Sequence, residues 1–220
     1  MTFDLFSDAL EDAALPRGKE AIGPGAFVLR GFALPYADEL LSGLREVEQR
    51  APFRHLVTPG GFTMSVAMTN CGRLGWISDR RGYRYGEHDP ETGLPWPAMP
   101  AAFARLAEAS AAEAGFAGFE PDACLVNRYE PGTRLSLHQD KDERDYGAPI
   151  VSVSLGMPAT FLFGGLARSD KAARIPLVHG DVVVWGGPDR LRYHGVLPLE
   201  DRPHALLGSR RINLTFRKAG

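Results

Sequence analysis

His138-Gln139-Asp140 is the first place where this sequence offers chemistry. It follows Leu135-Ser136-Leu137, whose alternation reads as a strand, and residues two apart in a strand face the same side. His138 and Asp140 can therefore open onto one pocket. Another imidazole is available at His194, in Arg192-Tyr193-His194-Gly195 beside a further strand-like run. Two imidazoles and one carboxylate that leave coordination positions open make the facial triad of non-haem Fe(II) oxygenases. The pair alone carries little weight, because chance placement gives roughly 0.4 His-x-Asp matches in a chain of this composition. The other histidines read differently. His179-Gly180-Asp181 is a turn entering Val182–Val184, and His55, His88 and His204 sit in loop sequence with structural or solvent roles.

The C-terminal run Arg211-Ile212-Asn213-Leu214-Thr215-Phe216-Arg217 alternates with period two. Ile212, Leu214 and Phe216 make a core face; Arg211, Asn213, Thr215 and Arg217 make the other. Buried positive charge is costly without an anion, and no Asp or Glu lies between Asp201 and Gly220. A dicarboxylate ligand would satisfy both guanidinium groups bidentately. The competing reading is an edge strand with solvated arginines. Asn127 and Tyr129, also two apart, can share a face toward the same ligand or simply form a buried polar pair.

The elements that must position these residues are legible in outline. Tyr36–Arg50 places Leu40, Leu41, Leu44 and Val47 on one helical face. Ala101–Ala114 follows Pro100 and stops at Gly115, a proline start and a glycine end. From about Ala123 the period changes to two, with strands expected at 123–129, 134–139, 150–155, 160–163, 181–185, 192–196 and 211–217. Many short strands separated by glycine and proline turns indicate a sandwich, jelly roll or barrel. The expectation is one α+β domain over 1–220. It has N-terminal helices, an insertion or lid over about 53–97, and a β core over about 123–217.

These motifs strongly resemble the AlkB family of 2-oxoglutarate-dependent oxygenases, and its bacterial members above all. The likeness runs through Asn127-Arg128-Tyr129-Glu130-Pro131-Gly132, Leu135 to Glu143, Ala148 to Gly156, His179 to Gly187 and Arg211-x-Asn213-x-Thr215-x-Arg217. It reappears at Met68 to Gly72, Leu74-Gly75-Trp76 and Gly82 to Tyr85, and is weak over roughly the first sixty residues. The resemblance implies a double-stranded β-helix (jelly-roll) core with Fe(II) held by His138, Asp140 and His194. It implies 2-oxoglutarate held by Asn127, Tyr129, Arg211, Asn213 and Arg217, with O2 as co-reactant. A nucleotide-recognition lid falls on Trp76, Tyr83, Arg84 and Tyr85, and Asp142 and Arg168 fall near the substrate base.

The activity so implied is oxidative demethylation of alkylated nucleobases, such as 1-methyladenine and 3-methylcytosine, in single-stranded DNA or RNA. Formaldehyde and succinate leave, and the lesion is reversed directly. Such a methyl is unreachable inside a duplex. Trp76, Tyr83 and Tyr85 can stack on the base, and Arg80, Arg81 and Arg84 can follow phosphates; ordinary core packing and a solvated face are the plainer readings of the same residues. A 2-oxoglutarate-dependent hydroxylase of a small molecule or protein side chain is the alternative. A non-catalytic jelly-roll binder is disfavoured by the full set of ligand residues, and a cupin-type enzyme would leave Arg211 and Arg217 without a role.

Composition narrows the rest. A net charge of −2 does not mark a general nucleic-acid binder, so any contact must be a local patch. Cys71 and Cys124 stand in apolar runs with no CxxC partner and read as reduced thiols of a cytosolic protein. The charge-free run 146–167 alternates like strands and contains Pro149 and Pro158, so it is not a membrane span. A monomer suffices.

Overall fold

The computed structural model describes residues 17–220. The chain opens with β1 (Gly18–Gly23) and β2 (Ala26–Arg30), then α1 (Ala37–Arg50), β3 (Arg54–Val57) and β4 (Thr63–Gly72). The hairpin β5 (Gly75–Asp79) and β6 (Gly82–Gly86) precedes α2 (Ala101–Glu113). Next come β7 (Ala123–Tyr129), β8 (Leu135–His138), β9 (Ile150–Gly156) and β10 (Ala159–Phe163). The chain finishes with β11 (Ala173–Leu177), β12 (Val182–Trp185), β13 (His194–Val196) and β14 (Arg211–Arg217).

Eight strands form one sheet in the order β1-β2-β12-β9-β14-β7-β4-β3, and four form a second in the order β11-β10-β13-β8. Apolar side chains of both sheets, among them Val28, Val183, Trp185, Phe161, Phe163 and Leu177, meet in a core between them. On the outer face of the large sheet, Leu40, Leu44 and Val47 of α1 and Phe103, Leu106 and Ala107 of α2 pack on Val126, Leu214 and Phe216. Their spacing is the reason both segments are helices: the apolar positions make one stripe that the sheet covers. Gly43 lets the helices touch, since a β-carbon there would lie 2.9 Å from Pro100.

This is the jelly-roll architecture, with one widening of the expectation. The N-terminal region is not only helical: β1 and β2 extend one side of the large sheet, and β3 and β4 the other. Within 53–97 only β5–β6 forms a separate two-stranded sheet. The run 146–167 contains β9 and β10, and among the described residues no helix is long and apolar enough to cross a membrane. The cysteines, read as lacking a partner, are register partners across β4 and β7, both buried with free thiols. Fifty-two intervening residues hide that pairing from the sequence.

Central strands are buried on both faces, and this is what builds the site. Ile212, Leu214 and Phe216 of β14 enter the helix-side core. Arg211, Asn213, Thr215 and Arg217 are also buried, and line a cavity on the opposite face.

Candidate active site

β8 pairs with β13 so that His138 and His194 are register partners, and their ring centroids stand 4.4 Å apart. Asp140 follows two residues beyond His138, just past the end of β8. The candidate ligand atoms of the three residues lie within 4.8 Å of one another. Asp140 Oδ1 is 3.6 Å from His138 Nε2, and Oδ2 is 3.8 Å from His194 Nε2. Each imidazole places Nδ1 against a backbone carbonyl, Ser136 O at 2.9 Å and Arg192 O at 3.0 Å. A carbonyl only accepts, so Nδ1 carries the proton and Nε2 of the neutral ring keeps its lone pair for a cation.

Burial, with the neighbouring His138, brings the His194 pKa down to about 4, so this ring is neutral at neutral pH. Burial alone would push the Asp140 carboxyl up. The Arg217 guanidinium and the two imidazoles outweigh it and hold the group well below the usual carboxylate range.

The cavity, about 530 Å³, continues from these residues along the polar face of β14. At its far end Arg211, only 2% exposed, donates Nη2 to Ser154 Oγ at 3.0 Å and lies over the Tyr129 ring at 5.0 Å. Its Nε and Nη1 have no hydrogen-bond partner, nor does Asn127 Oδ1. Burial lowers the Arg211 pKa, against the opposing pull of Tyr129. Asn213 is held by Ser152 Oγ and Val153 O, which accept its Nδ2, and its Oδ1 accepts from Thr215 Oγ1.

The family described as the 2OG-Fe(II) oxygenase superfamily matches residues 25–217. The chain belongs to that superfamily. It is 57% identical over 216 residues to the alpha-ketoglutarate-dependent dioxygenase AlkB of Salmonella typhimurium, covering 98% of this chain and 97% of that one. It is 39% identical over 171 residues to the DNA N(6)-methyladenine demethylase ALKBH1C of Arabidopsis thaliana, covering 66% of this chain and 38% of that one. Among solved structures, that of OsALKBH1 superposes with a TM-score of 0.80 at 29% identity, covering 91% of this chain and all of that one. This dioxygenase accordingly works with Fe(II), 2-oxoglutarate and O2.

The residues present fit both groups. Two Nε2 lone pairs and a carboxylate converge on one point, a donor set suited to Fe(II) with positions left open. Arg211 Nε and Nη1, buried in the cavity and without a hydrogen-bond partner among the described residues, suit a carboxylate.

Above the metal cluster, Trp76 of β5 stacks on Tyr83 of β6, with centroids 5.4 Å apart and planes 12° apart. Its indole N–H donates to Asp142 Oδ2 at 2.8 Å. The Asn70 side chain clamps the Trp76 backbone through both its N–H and C=O. Trp76, Tyr83, Asp142 and Arg168 all line the cavity.

Two expected lid residues do not reach it. Arg84 alternates to the other face of β6 and pairs with both oxygens of Asp79, at 2.9 and 2.7 Å. Arg81 leans on the same carboxylate, so one negative charge offsets part of the expected basic track. Tyr85 turns inward and donates its hydroxyl to Glu143 at 2.7 Å. Arg217, expected as a second cosubstrate anchor, is also engaged within the protein. It lines the cavity, but donates Nε and Nη2 to Asp140 Oδ2 at 2.8 and 2.6 Å, and its Nε lies 3.3 Å from Glu143.

Glu143, Arg190 and Ser154 went unassigned in the sequence. Ser154 could have been found from the polar alternation inside an otherwise apolar strand. Nothing local marks Arg190.

Proposed function

We propose that this dioxygenase oxidatively demethylates alkylated nucleobases such as 1-methyladenine and 3-methylcytosine in single-stranded DNA or RNA. The observation that carries the reading is the Trp76–Tyr83 stack, tied to Asp142, over the cavity that holds His138, Asp140 and His194. A flat aromatic face beside a carboxylate suits a flat, cationic base, since methylation at a pairing nitrogen leaves the ring positively charged.

Bound Fe(II), with 2-oxoglutarate and O2, would supply the oxidising power that hydroxylates the methyl group, one oxygen atom going to the methyl and the other to the cosubstrate as it becomes succinate and CO2. His138, Asp140 and His194 would hold the metal. Arg211, with Asn127, Tyr129 and Asn213 around it, would take the distal carboxylate of 2-oxoglutarate. Trp76 and Tyr83 stack on the extruded base, Asp142 faces its charge, and Arg168 stands at the rim of the cavity. The hydroxymethylated base then releases formaldehyde. Because the methyl lies on the pairing edge, the base must be unpaired or flipped to enter. The working unit proposed is a monomer, and two free thiols support a cytoplasmic setting.

The test is mass spectrometry of a short single strand containing 1-methyladenine, incubated with the enzyme, Fe(II) and 2-oxoglutarate in air. We expect loss of one methyl, matched by succinate and dependent on both additions. Succinate without demethylation would move the activity to a small molecule or protein side chain.

A further inference from the structure

Asp140, Glu143, Arg190 and Arg217 lie buried together at the Asp140 end of the cavity. Only Asp140 and Arg217 belong to the functions assigned so far. Glu143 Oε1 accepts from Tyr85 and lies 3.3 Å from Arg217 Nε, while its Oε2 lies 3.1 Å from Arg190 Nη2. Arg190, 3% exposed, reaches further: Nη1 donates to the backbone carbonyl of Asp140 at 2.8 Å, and Nε to that of Ala148 at 3.1 Å. One guanidinium thus ties both ends of the segment 140–148 by hydrogen bonds and stands at ion-pair distance from the Glu143 carboxylate between them. That segment belongs to no strand or helix, yet it carries Asp140 and Asp142. Without a backbone ladder to place them, their position depends on these side-chain bonds.

Stability does not account for the arrangement, because a buried ion pair seldom outperforms well-packed apolar residues. Geometry does. Arg217 turns its Nε and Nη2 donors on a single oxygen of Asp140, and Glu143 shares that positive charge. The sharing leaves Asp140 electron density for a cation.

We infer that Arg190 and Glu143 are positioning residues, which brace the 140–148 segment and divide Arg217 between two carboxylates so that Asp140 is held as a metal ligand. The inference rests on the metal-site reading of His138, Asp140 and His194. Outer partners of metal ligands change metal affinity by about 10- to 100-fold when replaced.

The test is anaerobic titration of Co(II) into the full chain with 2-oxoglutarate present, read by the visible d–d bands, alongside thermal melting. Glu143→Gln and Arg190→Lys should each raise the Co(II) Kd about tenfold or more and alter the band pattern. The double variant Glu143→Leu/Arg190→Met leaves neither of the two charges behind unpaired. It frees the Tyr85 hydroxyl and two backbone carbonyls, so it should melt below native, and it should bind Co(II) as weakly as the single variants. Variants that melt lower but bind Co(II) as tightly as native protein would overturn the inference, leaving the pair a merely structural role. Native protein whose Co(II) bands are absent, or unchanged by His194→Ala, would instead sink the metal-site reading beneath it.

Discussion

The two ends of β14 carry the same side chain and opposite electrostatics. Arg211 and Arg217 share one face of one strand, and both are buried. Arg217 faces two carboxylates, and its pKa, despite burial, is driven up by Asp140. Arg211 has a serine hydroxyl, a tyrosine ring and two unused donors, and its pKa is driven down by burial. A buried cation with no internal anion is tolerated where a ligand brings the anion. The comparison therefore separates an arginine paired within the protein from one left largely unpaired, a difference that the sequence spacing does not show.

Replacing the paired arginine should have the largest effect. Arg217→Met strands Asp140 and Glu143 without their shared cation, and breaking a buried pair from one side costs about 3–5 kcal/mol. At this chain length that corresponds to a melting temperature lowered by roughly 10 °C or more. Calorimetry on metal-free protein checks it; an unchanged melting temperature would show that the Arg217 contacts stabilise nothing.

The same end of the strand should dominate the acid response. His194 has a folded pKa of about 4, below its ordinary value near 6.5. The unfolded chain therefore binds more protons between these values, and stability rises with pH across that window. The contribution is complete above about pH 6.5 and is lost as pH falls toward 4, on the order of 3 kcal/mol. Asp140, whose pKa is depressed, adds a loss at still lower pH as its carboxylate becomes protonated. His194→Gln should flatten the slope between pH 6.5 and 4, whereas Arg211→Met should leave it unchanged. Denaturant melts across pH read both.

At Arg211 the effect moves from stability to affinity. Arg211→Met removes an uncompensated charge, so ligand-free protein should melt no lower than native. The Kd for 2-oxoglutarate should rise by about 10- to 150-fold, from the loss of roughly 1.5–3 kcal/mol of charged hydrogen bonding. Equal affinity in the variant, measured by calorimetric titration with Mn(II) in place of Fe(II), would return the anchor role to Arg217.

How far the sequence disclosed this follows from what each signal depends on. β7 and β14 match the expected 123–129 and 211–217; in β14 the alternation is strict, and its polar residues face a cavity rather than solvent. β4 escaped because both its faces are buried, so Thr69, Asn70 and Met68 break any two-residue rhythm. β11 escaped because of Pro176, which is tolerated only because β11 is an edge strand pairing with β10 alone. The clustering of His138, Asp140 and His194 needed only His-x-Asp and one later histidine. The division of labour between the arginines needed Glu143 and Arg190, and their partners are fixed by tertiary contact.

The smallest expected effect concerns the lid, and it is informative for that reason. A cation that neutralises a phosphate of single-stranded nucleic acid contributes about 0.7 to the log–log dependence of affinity on salt. Arg84 is held by both oxygens of Asp79 on the face of β6 turned from the cavity. Moving it to a phosphate would give up that bidentate pair. Arg84→Ala should therefore leave both the affinity for a methylated single strand and its salt slope within experimental error of native. Arg168→Ala, at the rim of the cavity and exposed, should reduce the slope by about 0.7 if it meets a phosphate. Fluorescence anisotropy over a salt series distinguishes the two. A slope reduced by Arg84→Ala would mean that the hairpin rearranges on binding, and that the β6 arginine serves the ligand as Arg211 does.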